Sequence, residues 1–279
     1  TRGAERSRDP YTIVREAEEA FAAGYKEVNL LGQNVDSYLW KAPEDCPEHC
    51  GESVNFAQLL EKVAAISPQL RVRFSTSYPS DITDEVLYTM AAHSNICRHI
   101  HFPVQSGSDA MLEKMRRKYD RKWYLERVAR IREIVPDCGL TTDVIAGFCG
   151  ESEEDHRDTL SLFEEVGFDA AFMFQYSERP GTLAARKFED DVPPEVKTRR
   201  LNEIIALQNR KGAENYRKMI GRQLEVLVEG PSKKTPEDLC GRAGNYMMCV
   251  WPDNVHKAGD YVQVEVVDAT PATLLCRLV

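Results

Sequence analysis

Long apolar runs are missing from this sequence. None approaches the roughly 20 residues that a membrane-spanning helix needs, so no membrane partner is expected. The first residues, TRGAERSRDP, carry no Met, no apolar stretch and no small-residue cleavage signature, so they are not expected to be a signal peptide. They read as the middle of a longer gene product. An excess of basic charge is missing too: 36 Lys and Arg stand against 45 Asp and Glu, a net charge of -9. That balance argues against nucleic-acid binding over the whole surface and leaves room for a local basic patch. Eight cysteines in 279 residues are too sparse for the disulfide framework of a small secreted domain, so a reduced cytosolic setting is expected. No Ser-His-Asp signature, phosphate-binding glycine loop, internal repeat or low-complexity tract occurs. Cys46, His49 and Cys50 form one close group, but a zinc site needs a second pair and none follows, so no metal is assigned.

What is present is alternation. YTIVREAEEAFAAG reads as a helix and KEVNLLGQN as a strand; a polar loop over 41–54 follows. Helix and strand then repeat through LRVRFSTSYPSD, HIHFPVQSG, GLTTDVIAGF and AAFMFQYSERPG. Strands separated by helices at this spacing predict a parallel sheet with crossover helices. Four strands are apolar first and polar last: LLGQN, RFSTS, FPVQSG and FQYSER; the fifth, TTDVIAG, carries Asp143 inside. In such folds the C-terminal strand ends share one face and build the site there. One polar strand end is only the start of a loop; four together favour a shared ligand pocket. After residue 192 a long charged helix opens at Pro193 and Pro194, and from Arg222 short strands broken by Gly, Pro and Asn predict a small antiparallel barrel.

Individual motifs have plain readings as well as functional ones. TTDVIAGFCGESEED, residues 141–155, ends a strand at Gly147, turns at Gly150 and places Ser152 and Asp155 as a loose capping box. It is either a strand-to-helix turn or a close backbone approach to a ligand. Met111 and Met115 share a helix face, the pattern of a core; Arg116, Arg117 and Lys118 suit phosphates or a solvated face. Arg179, beside a Pro-Gly turn, suits a carboxylate or a surface ion pair. Lys233, Lys234 and Arg242, with Tyr246 and Trp251 nearby, have the basic and aromatic mixture that binds single-stranded RNA, although Trp251 also suits a barrel core.

Taken in order, TRGAERSR, LLGQNVDSY, RFSTSYPSD, PVQSGSDAMLEKMRRKY, TDVIAGFCGESEED, FQYSERPGTLA and RRLNEII resemble the methylthiotransferases of the radical S-adenosylmethionine superfamily. The resemblance covers almost the whole chain. It implies an α/β fold: a partial TIM-like (β/α)6 barrel over residues 1–215 and a small RNA-binding TRAM barrel over 216–279. LLGQNVDSY looks most like the type that adds a methylthio group to isopentenylated adenosine beside the tRNA anticodon. The types acting on threonylcarbamoyl adenosine or on a ribosomal-protein aspartate, and a non-catalytic RNA-binding protein on the same scaffold, are the alternatives. The implied cofactors are S-adenosylmethionine, cleaved to a 5'-deoxyadenosyl radical, and two 4Fe-4S clusters. The implied partners are the tRNA anticodon stem-loop and an electron donor such as flavodoxin or ferredoxin, with the protein a monomer.

Under the resemblance, Gln33, Asn34, Ser75, Gln105 and Ser106 are candidates for holding S-adenosylmethionine. So are Asp143, Ser177 and Arg179, with the Gly147 to Glu151 segment near the adenine or ribose. Lys233, Lys234, Arg242 and Trp251 are the candidates for RNA. The family's cluster motif CxxxCxxC is absent, so the chain is expected to begin just past it, to hold five of six barrel strands and to be inert alone. Ala4 stands where the family usually has a basic residue and Cys149 where it often has proline.

Overall fold

The computed structural model describes residues 6–43, 49–75 and 78–279. Helix α1 (Pro10–Ala22) is started by Asp9, whose carboxylate accepts from the Tyr11 amide at 3.0 Å, with Pro10 in the first turn. Strand β1 (Glu27–Leu31) follows, then β2 (Leu39–Lys41), β3 (Ser53–Asn55) and α2 (Phe56–Ala64). The expected polar loop over 41–54 is thus corrected: β2 and β3 pair antiparallel at its base, Trp40 opposite Val54, because both side chains are buried there. Next come β4 (Arg71–Ser75), α3 (Asp84–Ala92), β5 (His99–His101), α4 (Asp109–Lys114) and α5 (Arg121–Ile134). Then follow β6 (Gly139–Ala146), α6 (Glu153–Val166), β7 (Ala170–Gln175), α7 (Leu183–Lys187) and α8 (Pro194–Arg217). The capping box expected at Ser152 and Asp155 starts α6, and Gly167, at φ 60, ends it in the left-handed conformation.

The parallel strands lie in chain order: β1 beside β4, and β5, β6 and β7 in one sheet, with a bridge between Val72 and Ile96 joining β4 to β5. Together they form an arc. Its convex face carries Val72, Phe74, Ile100, Phe102, Leu140 and Val144, buried under α2, α3, α5 and α6 in one continuous core. Residues of the other parity point to the concave face, since side chains alternate along a strand. The register sets Asn29 beside Arg73, His101 beside Thr141, and Asp143 beside Phe172 on that face.

The chain then builds a closed barrel from β8 (Gln223–Pro231), β9 (Asp238–Ala243), β10 (Met248–Pro252), β11 (Tyr261–Ala269) and β12 (Leu274–Leu278). It is not wholly antiparallel as expected: β10 and β12 pair parallel through Cys249 with Leu274, the seam that closes the ring. Val226, Val264, Val266, Cys249, Leu274 and Trp251 fill it.

The turn between β9 and β10 enters the lower, N-terminal end of the arc. Arg71 donates to the Arg242 carbonyl at 2.7 Å and Arg73 to that of Ala243 at 3.1 Å. Tyr246 stacks on His99 at 4.5 Å, with the Arg73 and Arg242 guanidinium groups 5.1 and 4.9 Å from its ring centre. Tyr261 adds its hydroxyl to the carbonyls of Lys26 and Gln69. Gly139 permits this approach: a β-carbon there would lie 2.4 Å from the Asn245 carbonyl oxygen. Gly139→Ala is therefore expected to cost about 1–3 kcal/mol by overpacking. Gly244→Ala, which meets nothing within 4 Å, is expected to be near neutral. Urea denaturation of both variants checks this, and equal stabilities would refute the plug geometry.

Candidate functional site

At the C-terminal end of the arc the polar strand ends converge on its open mouth. Gln33 is exposed and lines a cavity of 780 Å³ beside β1, with Arg8, Ile13 of α1, Asn29, Asn34 and Phe56 of α2; none of its lining comes from β4 to β7. Asn34 braces the mouth: its amide donates to Asp81 at 2.5 Å and its carbonyl accepts from the Tyr78 amide at 3.2 Å. Ser75 ends β4 beside Leu31. Gln105 is buried at φ 73, a region that non-glycine residues seldom enter. Its backbone joins β6 on both sides, donating to the Asp143 carbonyl and accepting from the Ile145 amide. Asp143 lies on the concave face, its carboxylate 3.3 Å from His101 Nε2.

Three other candidates, Ser106, Gly147 and Glu151, make contacts within the fold. Ser106 is fully buried, its hydroxyl 3.3 Å from that of Thr159 on α6 and accepting from the Ser108 amide. Glu151 is buried, accepting from the Gly147 amide at 2.8 Å and from Arg200 of α8 at 2.9 Å. Burial pushes its carboxyl up, while the amide and the guanidinium oppose that. Gly147, at φ 74, makes room for Lys197, whose side chain would lie 2.3 Å from a β-carbon there. The Gly147 to Glu151 turn thus latches the sheet to α8. Ser177 and Arg179 lie exposed beyond β7, and the Arg179 guanidinium forms no ion pair among the described residues.

The RNA candidates divide in the same way. Lys233 and Lys234 are exposed on the loop before β9. Trp251 is wholly buried in the barrel, its indole N–H donating to Asp253 at 3.1 Å, which corrects its expected role. Arg242 pairs with Glu229 at 2.8 Å and faces the arc through Tyr246. Ala4 and Cys46 lie outside the described residues. His49 stacks on Tyr11 at 4.1 Å and meets Glu52, while Cys50 is exposed.

Reading strand ends alone missed the concave face itself. Thr141 Oγ1 is 3.0 Å from His101 Nδ1 and 3.1 Å from His99 Nε2, Phe172 meets the His101 ring edge-on at 5.8 Å, and Arg73 pairs with Glu27 at 2.9 Å. The signal was available as period-two polarity in RVR and HIH. A hydroxyl, two imidazoles and a carboxylate lining a groove can orient a polar or cationic ligand by several hydrogen bonds at once.

Residues 1–163 match the Radical SAM superfamily and residues 217–279 the TRAM domain. The chain belongs to the radical SAM superfamily. Over 99% of its length it is 56% identical to the tRNA-2-methylthio-N(6)-dimethylallyladenosine synthase of Amoebophilus asiaticus (strain 5a2), of which it covers 58%. Over 98% it is 54% identical to the protein of that name from Bacteroides thetaiotaomicron, of which it covers 59%. The chain thus spans less than two thirds of the curated relatives it matches. Among solved structures, coproporphyrinogen III oxidase from Escherichia coli shares the fold at a TM-score of 0.53 and 17% identity, covering 91% of this chain and 59% of its own.

His99 carries a measurable consequence. Burial first, then the charges of Arg73 and His101, push its pKa down to about 3. An unfolded imidazole titrates near ~6.5, so on acidification the unfolded state takes the proton first. Stability due to neutral His99 is complete above about pH 6.5 and is lost as pH falls toward 3. Thermal melts between pH 7 and 4 should show a shallower loss of Tm in His99→Gln than in the parent; parallel curves would contradict this.

Proposed function

We propose that this chain is the larger part of a tRNA methylthiotransferase that modifies isopentenylated adenosine beside the anticodon. The observation that carries this reading is 56% identity over 99% of the chain to an enzyme of that name. Support comes from the polar concave face, whose donors and acceptors suit the ribose and amino acid parts of S-adenosylmethionine. Asp143 and His101 on that face, with Gln33 at its rim, are the residues proposed to orient it. When bound, S-adenosylmethionine would supply the hydrogen-abstracting radical chemistry. This chain's residues contribute position and exclusion of water: the β9–β10 turn covers the lower end of the arc, so substrates meet only through the mouth.

The described residues do not fit an iron-sulfur cluster. No group of three or more His, Cys, Asp or Glu among them could hold a metal: Cys97, Cys138 and Cys149 are buried, and Cys249 and Cys276 meet only each other in the TRAM barrel core. We therefore assign the two 4Fe-4S clusters to the part of the relatives that lies outside the match, and derive no step through them. The reading includes tRNA held partly by Lys233 and Lys234, a flavodoxin- or ferredoxin-like donor, and a monomer in the cytoplasm. No helix among the described residues is long and apolar enough to cross a membrane.

The test uses a chain extended to the relatives' full length, reconstituted anaerobically with iron and sulfide. It is incubated with isopentenylated tRNA, reductant and S-adenosylmethionine, and the digested tRNA is read by mass spectrometry. We expect the methylthio nucleoside from the extended chain and none from the present one. In the extended chain, Asp143→Asn should reduce 5'-deoxyadenosine formation about tenfold or more, the loss of one charge-assisted contact. Formation of 5'-deoxyadenosine without product would move the reading to another substrate; no 5'-deoxyadenosine would defeat it.

A further inference from the structure

The TRAM barrel covers the lower end of the arc, and the polar strand ends lie at the opposite end. An eight-residue strand such as β6 separates the two by roughly 25 Å. RNA held only by the TRAM barrel would therefore leave its backbone unrestrained where the base must enter. The mouth needs its own phosphate contacts, and one loop there is built to make them.

Arg116, Arg117 and Lys118 follow α4 on the mouth side. None of the three forms an ion pair among the described residues, whereas Arg121, Arg127 and Arg130, on the next helix, are each paired with a carboxylate. In a chain of net charge -9, three consecutive cations without carboxylate partners are a local exception. The loop is also held in place. Arg116 sits at φ 57, fixing a tight reversal with its side chain exposed. The Arg117 guanidinium lies 5.7 Å from the Tyr78 ring centre, and its Nε is buried without a hydrogen-bond partner. The Lys118 amide donates to the Tyr78 hydroxyl at 3.2 Å, and the Tyr78 amide donates to Asn34, in the bend just past β1. Beneath the loop, Met111 and Met115 pack with Phe148, Tyr176 and Phe188 in a separate apolar cluster. A cationic loop ordered in advance loses little conformational freedom on binding an anion.

We propose that Arg116, Arg117 and Lys118 form a phosphate-gripping rim at the mouth. It holds the RNA backbone on either side of the entering base, independently of the TRAM barrel. This rests on the RNA-substrate reading above. Arginine offers paired donors to phosphate oxygens, and each phosphate neutralised steepens the dependence of binding on salt.

The test is fluorescence anisotropy of a labelled, isopentenylated anticodon stem-loop titrated with this full chain at several salt concentrations. Arg116→Gln with Lys118→Gln alters only exposed side chains, so the fold is spared, as a thermal melt would verify; Lys233→Gln with Lys234→Gln is the comparison. We expect the rim variant to bind about tenfold more weakly and its salt slope to fall by roughly 1.5, two contacts' worth. If the parent binds and the rim variant matches it in affinity and slope, the rim is overturned while the RNA reading stands. If the parent does not bind the RNA, both are overturned.

Discussion

Arg73 points into the concave face of the arc and is only 6% exposed, between Glu27, the Ala243 carbonyl and the ring of Tyr246. A buried guanidinium is tolerable only while such partners hold, because removing one leaves a charge that costs several kcal/mol. Two of the three partners belong to the TRAM barrel. The arc therefore does not satisfy its own interior. A (β/α) barrel usually packs its centre with branched apolar side chains. Here the centre carries Arg, His, Thr and Asp, and another domain supplies part of the answer at the lower end. His99 shows the same dependence: desolvation pushes its pKa down, and part of what shields it is the stacked ring of Tyr246.

From that constraint follows a division of the molecule along the strand axis. The lower end is closed by backbone carbonyls, stacked rings and guanidinium groups. The convex side is an ordinary apolar core. The upper end stays open and polar, with a satellite of methionine and aromatic side chains steadying the loops around it.

Much of this was legible in the sequence, for physical reasons that differ by element. Helices showed because their apolar spacing and caps are local: Asp9, Asn55 and Ser152 each stand where a helix begins. The parallel order showed because strand and helix alternate. Strand ends were overread. LLGQN leaves the ladder at Leu31, and HIHFPVQSG pairs only through His101 before its path is set by Gln105. Which polar residue faces a ligand was not legible, because Ser106 and Glu151 are spent on contacts 49 to 53 positions away in sequence. Trp251 suits either RNA stacking or a barrel core by sequence, and its burial places it in the core. The β9–β10 turn could not be assigned to the lower end of the arc from sequence, since its partners Arg71, His99 and Gly139 lie about a hundred residues or more earlier.

Helix α8 has 24 residues, a rod of roughly 36 Å. Near its start, Lys197 and Arg200 clasp the turn at the mouth; near its end, Asn215 donates to the Gly167 carbonyl and to Asp169 just before β7. The next residues run directly into the TRAM barrel. The rod thus touches both extremities: the latch formed by Gly147 and Glu151 at one end and, past the turn at Gly221, the TRAM barrel at the other.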